Sequence, residues 1–254
     1  MLALTILPLG LFADQPCRFI LRGGLFQDFA PSALYMKQVL LPALKPMGIQ
    51  AGIEIYRPGY VPSGQGCLEC TVQPLKERPS PLNIQEIGRL EMMGGIALSS
   101  HLKHRKVSER MRRACQKRLR SLGLSAQIQE LYDTSQETAY RRQPNRPGLA
   151  WLSGQQLILD AFWARTWPVL RAGRQKKSGA RWLIIYWRIC HQVQLFDRFL
   201  AGQLIPFAAL AKGESIYRIP LLTDHVLTRL WLARELLGAE TAICGQEARI
   251  TGIG

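Results

Sequence analysis

The sequence predicts an α/β (α+β) fold in which helices cover one face of a sheet. In the first third of the chain, a strand, a helix and two further strands follow one another between residues 18 and 72. In the last third, a second strand–helix–strand run follows between residues 215 and 250. Helical and alternating apolar patterns that succeed each other in this way are typical of domains whose elements bury one apolar face against a neighbour.

The first of these units begins with a short predicted strand at 18–25, which leads into a helix. Pro31 suits the first turn of that helix, which is apolar over much of its circumference. Gly48 stands where helices commonly end. Alternating apolar and polar residues then predict a half-buried strand over 49–55, and a loop rich in Gly and Pro separates it from a further strand over 68–72.

The middle third contains a strongly basic predicted helix, which extends from about Val107 to Leu122 and ends before Gly123. Its predicted inward residues are Val107, Met111, Ala114, Cys115, Leu119 and Leu122. Its outer face holds Arg110, Arg112, Arg113, Lys117, Arg118 and Arg120, and Arg141, Arg142 and Arg146 follow downstream. Two interpretations stay open for this face: an RNA-binding surface, or an ordinary solvated surface.

The last unit places a histidine at the start of a predicted helix. A strand-like segment at 215–222 precedes Thr223, a suitable N-cap, and the helix ends at Gly238 before a final strand near 241–250. His225 therefore lies in the first turn, where a helix attracts phosphate and disfavours the charged imidazolium. A neutral imidazole beside a bound phosphate is what a histidine phosphoramidate mechanism requires, and a partly buried structural histidine is the alternative.

The charge of the chain favours a polyanionic partner. Its 254 residues include 33 Lys and Arg against 18 Asp and Glu, a formal net charge of +15. Such an excess indicates nucleic acid more often than a membrane surface, and it says nothing about base specificity. The apolar segment from Met1 to Phe12 lacks a basic stretch and is too short to span a bilayer, so we expect neither export nor a membrane partner.

The cysteines predict neither a disulfide scaffold nor a metal site. Six are scattered along the chain, and only Cys67 and Cys70 have the spacing of half a zinc site. In an alternating strand these two side chains point to opposite faces. We therefore expect reduced thiols in a cytoplasmic protein, with no metal held by the protein itself.

Five motifs follow one another along the chain: Arg22-Gly23-Gly24 with Phe29–Ser32, Arg57–Gly66, Phe199–Pro206, Ala209–Ser215 and Thr223–Thr228. They resemble, in this order, the RGGT…APS, RGYYPRGGG, HLADQLIP, ALA-x-GES and T-x-HLxT motifs of the RNA 3'-terminal phosphate cyclase family. Their order and spacing agree with that family. Together they cover residues 1–154 and about 196–254.

The resemblance implies repeated strand–helix units with helices on one side of each sheet, and a smaller inserted α/β domain. The implied large domain comprises residues 1–86 and 161–254, and the implied insert comprises residues 87–160. Residues 155–195 match the family least. The family has an acidic helix there, whereas residues 161–196 contain no Asp or Glu. We hypothesise a frameshifted stretch that returns to frame before Asp197, which translation of the gene in all three frames tests.

The resemblance also implies a three-step reaction. A histidine attacks the α-phosphate of ATP, AMP passes to an RNA 3'-phosphate, and the 2'-hydroxyl displaces AMP to close a 2',3'-cyclic phosphate. A divalent metal, Mg or Mn, assists by neutralising phosphate charge. By position, His225 is the implied nucleophile, and RNA 3'-phosphate ends are the implied partner. The implied nucleotide site comprises Ala30, Pro31, Phe199, Leu200, Ala201, Gly202 and Gln203.

The chain also departs from the family pattern. Met1 falls well inside that pattern, so the family's N-terminal EGGGQ-type segment has no counterpart here. Gly202 replaces an Asp, Arg229 an Asn, Leu4 a Gln and Leu25 a Thr. Two alternatives to an active cyclase therefore stay open: an inactive, truncated homologue, and a non-catalytic RNA-binding protein of ribosome maturation. The sequence does not indicate an oligomeric state.

Overall fold

Three sheets packed against helices make up the part of the chain that the computed structural model describes: residues 2–26, 31–60, 65–84, 89–121, 123–133, 181–190 and 198–254. Buried residues from α1, from both strand–helix units and from the third sheet join one apolar core. The mixed helices and strands agree with the predicted α/β class. Among the described helices, none combines the length and apolarity needed to cross a membrane.

The first unit contains the predicted strand, helix and two strands, preceded by helix α1. Its elements are α1 (Leu2–Gly10), β1 (Cys17–Gly23), β2 (Ala51–Arg57) and β3 (Gly66–Val72), with helix α2 between β1 and β2. The strand order is β1-β3-β2, and both pairings are antiparallel. Alternate residues of β3 are buried, so Cys70 lies in the core and Cys67 is on the other face, as predicted.

Helix α2 changes its hydrogen-bond pattern along its length. It consists of an α-turn (Ala33–Tyr35), a π segment (Met36–Leu40), a second α-turn (Leu41–Leu44) and a 3-10 turn (Lys45–Met47). Pro42 lacks an N–H and its ring would collide with the carbonyl one turn earlier, so the helix widens before it. Gly48, with φ of 83°, ends the helix in the left-handed conformation, as predicted.

The second unit repeats this topology. Its elements are β8 (Glu214–Arg218), α5 (Asp224–Leu237), β9 (Glu240–Cys244) and β10 (Glu247–Thr251). The order β8-β10-β9 corresponds to β1-β3-β2, with the last strand again in the middle. The short strand β4 (Asn83–Ile84) adds to β8 in parallel, and helix α4 (Arg198–Ala209) precedes the unit. The implied repetition of strand–helix units is therefore present.

Two predicted strand boundaries in this unit are wrong. The single strand expected near 241–250 is a hairpin, because Gly245 at φ of 63° allows a tight turn between β9 and β10. The strand expected to reach Leu222 ends at Arg218, where its pairing with Glu247 ends. Pro220 follows shortly after, and its missing N–H is unsuited to continued pairing.

The third sheet has the order β6-β5-β7 and packs against helix α3. Its elements are β5 (Arg89–Ser100), α3 (Val107–Arg120), β6 (Ala126–Asp133) and β7 (Arg181–Cys190). Strand β5 begins soon after the predicted start of the insert at residue 87. Strand β7 pairs with β5 although the predicted insert ends at residue 160. These domain limits stay predictions, as does the frameshift hypothesis, since the rest of 155–195 lies outside the described residues.

Helix α3 buries most, but not all, of the face predicted to point inward. Val107, Cys115 and Leu119 are buried, whereas Ala114 is exposed, which corrects the prediction for that residue. Ser108 is buried instead, because its hydroxyl donates a 2.8 Å hydrogen bond to the carbonyl of Leu131. The outer face is cationic and exposed, as predicted, at Arg110, Arg113, Lys117, Arg118 and Arg120. Leu122, Arg141, Arg142 and Arg146 lie outside the described residues.

Candidate active site

Helix α5 begins at a capped N-terminus that leaves His225 accessible. Thr223 has the extended backbone of an N-cap, and its Oγ1 accepts a 3.3 Å hydrogen bond from the N–H of Val226. Val226 is fully buried, whereas Asp224 and His225 are exposed. The predicted position of His225 in the first turn is therefore confirmed, and the imidazole does not lie in the apolar interior.

The first backbone N–H groups of α5 are available to a ligand. The hydrogen bonds of the described residues leave the N–H groups of Asp224 and His225 without an acceptor. Both groups lie at the positive end of the helix dipole, which favours anions such as phosphate. The imidazole therefore stands beside unsatisfied donors that can hold a phosphate group.

Helix α4 packs closely against α5 at Gly202. A Cβ atom added at Gly202 would lie 3.4 Å from Cγ2 of Val226 and 3.5 Å from Nη1 of Arg229. Arg229 is one helical turn after His225, so both side chains occupy the same region of the α5 surface. This packing brings the implied nucleotide segment of α4 next to the start of α5.

Gln203 has an unsatisfied polar atom in the interior. Its side chain is 4% exposed, and its Oε1 is buried without a hydrogen-bond partner among the residues that the structure describes. A buried carbonyl oxygen without a donor is unfavourable by about 1–3 kcal/mol. Gln203 therefore has the chemistry of a residue whose hydrogen bonding a ligand completes.

Two other residues of α4 that the resemblance implies for the nucleotide site, Leu200 and Ala201, contact the protein interior. Leu200 and Ala201 are buried in the core, and the Ala201 carbonyl accepts a 3.1 Å hydrogen bond from the hydroxyl of Tyr217. Burial raises the pKa of Tyr217, which keeps this hydroxyl protonated as a donor. The Tyr217 contact therefore fixes α4 over strand β8.

The start of α2 approaches the same part of α4. The ring of Phe199 meets the ring of Tyr35 edge to face, with centroids 6.5 Å apart. Tyr35 lies in the first turn of α2, and its N–H donates to the N-cap hydroxyl of Ser32 at 3.1 Å. Pro31 directly precedes that cap, whereas Ala30 lies outside the described residues. Contacts therefore connect the Pro31 region to α4, and α4 to the helix that carries His225.

Arg229 also lies at this site, which the sequence alone does not reveal because it shows Arg229 only as the replacement of a family Asn. Burial lowers its pKa, since removal from water disfavours the charged guanidinium. Among the described residues, no carboxylate pairs with it. The available signal was its four-residue spacing from His225.

A second polar cluster, absent from the sequence analysis, joins the first unit to the third sheet. Asp133 ends β6 and is buried, and its Oδ2 accepts hydrogen bonds from Tyr60 at 3.2 Å and Ser100 at 3.4 Å. Burial raises the pKa of Asp133, and these two donors oppose the rise. Because β5 and β6 are parallel, their carboxyl ends place Ser100 and Asp133 together. The cluster connects two parts of the fold.

The described residues contain no cluster of three or more His, Cys, Asp or Glu side chains that could hold a metal ion.

Comparison with known proteins places the chain among phosphate cyclases. The family model described as RNA 3'-terminal phosphate cyclase matches residues 1–243. The RNA 3'-terminal phosphate cyclase of Thermococcus onnurineus is 29% identical over 248 residues, which cover 93% of this chain and 66% of the relative. The enzyme of that name from Pyrococcus abyssi is 31% identical over 236 residues, covering 92% and 64%.

The similarity extends beyond archaea. The RNA 3'-terminal phosphate cyclase of Drosophila melanogaster is 29% identical over 246 residues, which cover 92% of this chain and 63% of the relative. The chain belongs to the RNA 3'-terminal phosphate cyclase family. It spans slightly less than two thirds of the length of these three relatives.

Proposed function

We propose that this chain converts RNA 3'-phosphate ends into 2',3'-cyclic phosphates at the expense of ATP, through a histidine–AMP intermediate on His225. The observation that carries the proposal is the exposed imidazole in the first turn of α5, beside two backbone N–H groups that have no acceptor within the described part of the chain. Membership of a family of RNA 3'-terminal phosphate cyclases supports the same reaction class.

In the proposed first step, an imidazole nitrogen of His225 attacks the α-phosphorus of ATP. The N–P bond forms as the bond to the leaving pyrophosphate breaks, and any ring proton passes to solvent. The N–H groups at the start of α5 hold phosphate oxygens during this step. A divalent metal, when bound with the nucleotide, neutralises phosphate charge.

In the two later steps, an oxygen of the RNA 3'-phosphate attacks the phosphorus of the histidine–AMP adduct and displaces the imidazole. The neighbouring 2'-hydroxyl then attacks the activated 3'-phosphorus, AMP leaves with the bridging oxygen, and the hydroxyl proton is lost. The product is a 2',3'-cyclic phosphate. Each step exchanges one bond to phosphorus for another, so no redox partner is needed.

A specific observation favours the RNA-binding alternative. Helix α3 exposes five cations on one face, and an open groove on it is lined by Arg112, Arg113, Gln116, Lys117 and Arg120. Part of this charge is neutralised, because Arg112 pairs with Glu130 and Arg113 with Glu109. Lys117 and Arg120 in this groove could hold an RNA backbone without any chemistry at His225.

One experiment separates the alternatives. The purified chain is incubated with ATP labelled at the α-phosphate and with Mg²⁺ or Mn²⁺, and the protein is then tested for label. We expect an acid-labile, base-stable adduct that is absent in His225→Ala and retained in His104→Ala, a matched control at an exposed histidine of the third-sheet region. Unlabelled RNA with a 3'-phosphate should discharge the adduct and acquire a cyclic end.

Three results would contradict the proposal. An adduct that persists in His225→Ala places the nucleophile elsewhere. A folded chain that binds RNA but forms no adduct favours the non-catalytic alternative. A folded chain with neither activity favours an inactive homologue.

A further inference from the structure

The contact between α4 and α5 contains a half-buried cation that pairs with no carboxylate among the described residues. Arg229 is partly removed from water, and among the described residues no carboxylate lies within ion-pair distance of its guanidinium. Desolvation of an unpaired charge is unfavourable, which the lowered pKa of Arg229 reflects. Such a cation is expected where an anion completes the site.

The neighbouring residue leaves the guanidinium open to that anion. Gly202 has no side chain, and a Cβ at this position would be 3.5 Å from Nη1 of Arg229. A carboxylate at residue 202 would therefore reach the guanidinium and pair with it. In this chain the combination of Gly202 and Arg229 leaves the positive charge available.

Arg229 also lies where it can act together with the start of α5. It follows His225 by one helical turn, so the two side chains are neighbours on the helix surface. The unused N–H groups of Asp224 and His225 lie at the same end of the helix. A ligand with several linked phosphates can contact the N–H groups and the guanidinium at once, whereas a single phosphate contacts fewer of these donors.

We propose that Arg229 binds the phosphate chain of the nucleotide and holds it beside the imidazole of His225. This inference rests on the proposed function, because it assigns a further binding residue to the same site. Arg229 contributes ligand binding and orientation through charge-assisted hydrogen bonds to phosphate oxygens. No covalent step uses the guanidinium itself.

The test measures binding of sodium tripolyphosphate and of ATP by isothermal titration calorimetry, without RNA. We expect Arg229→Gln to weaken the binding of both ligands by about tenfold or more, because each loses charge-assisted hydrogen bonds. Arg234→Gln is the matched control, since it removes the same charge from an exposed position of the same helix. Arg229→Lys should retain part of the affinity, because an ammonium keeps the charge without the planar fork.

A second variant tests the inference without removing the guanidinium. Gly202→Asp introduces a carboxylate that should pair with Arg229 and weaken tripolyphosphate binding by about tenfold or more. Gly202→Asn has nearly the same shape without the charge, so it should weaken binding less. Circular dichroism of each variant verifies folding, and Gly202→Asp decides the outcome if Arg229→Gln does not fold.

The results distinguish failure of this inference from failure of the proposed function. Tripolyphosphate binding that depends on Arg229, in a chain that forms no histidine–AMP adduct, supports the inference and contradicts the proposed function. Adduct formation with unchanged affinities in Arg229→Gln and Gly202→Asp overturns the inference and leaves the proposed function standing. Absence of tripolyphosphate and ATP binding in the unaltered chain also overturns the inference.

Discussion

The two strand–helix–hairpin units have the same strand order but differ at the start of their helices. Both helices are capped by a hydroxyl, from Ser32 in α2 and from Thr223 in α5. Two residues after the cap, α2 has Leu34, which is 4% exposed, whereas α5 has His225, which is exposed. The same topology therefore places a buried leucine at the start of α2 and an exposed histidine at the start of α5.

Along the rest of their lengths, too, helix α2 is more deeply buried than helix α5. Nearly every apolar residue of α2 joins the core, whereas α5 buries Val226, Leu230 and Ala233 and exposes an apolar residue at Trp231. Helix α2 also contains a π segment and two prolines, and α5 is a regular α-helix throughout. Burial on most sides constrains α2 to a packing role, while the exposed side of α5 is free to meet ligands.

The largest expected difference between the units concerns the residues two positions after the caps. Leu34→Ala should lower the free energy of unfolding by about 2–5 kcal/mol, because it creates a cavity in the core. His225→Ala should change it by less than about 0.5 kcal/mol, because the ring is at the surface. Urea unfolding followed by circular dichroism measures both. A comparable loss in His225→Ala would show that the histidine is a structural residue.

The caps themselves should give a smaller difference. Ser32→Ala and Thr223→Ala each remove the acceptor of a first-turn N–H and should lower the free energy of unfolding by about 0.5–2 kcal/mol. We expect the larger loss for Ser32, because its cap is buried and water cannot replace the hydroxyl. Thr223→Ser keeps an acceptor and serves as the control. Equal losses of unfolding free energy in Ser32→Ala and Thr223→Ala would contradict the idea that water replaces the Thr223 hydroxyl but not the Ser32 hydroxyl.

Local chemistry allowed much of both units to be predicted from the sequence. Thr223, Gly48 and Gly238 mark helix ends through rules that involve only neighbouring residues, and the structure confirms all three. The alternation that separates Cys67 from Cys70 is equally local. The repeated units and the accessible position of His225 follow from such signals combined with the family motifs.

Apart from the two strand boundaries, which Gly245 and Pro220 set locally, the features that the sequence does not reveal depend on contacts between distant segments. The helical pattern predicts Ala114 inside α3, but Ala114 is exposed and Ser108 is buried instead, because strand β6 offers the Ser108 hydroxyl a backbone acceptor. The position of Arg229 beside Gly202 follows only from the contact between α4 and α5. The cluster around Asp133 requires the parallel pairing of β5 and β6. No periodic pattern along the chain contains this information.

The smallest expected effect concerns the outer surface of α5. Leu236 is 74% exposed, so Leu236→Gln should change the free energy of unfolding by less than about 0.5 kcal/mol. Leu44→Ala in α2 is the comparison, since Leu44 is fully buried and should show a loss of about 2–5 kcal/mol. Urea unfolding at two protein concentrations measures both. A large loss of unfolding free energy in Leu236→Gln that depends on protein concentration would show that another protein surface covers this side of α5. The two helices would then differ in what covers them and not in whether they are covered.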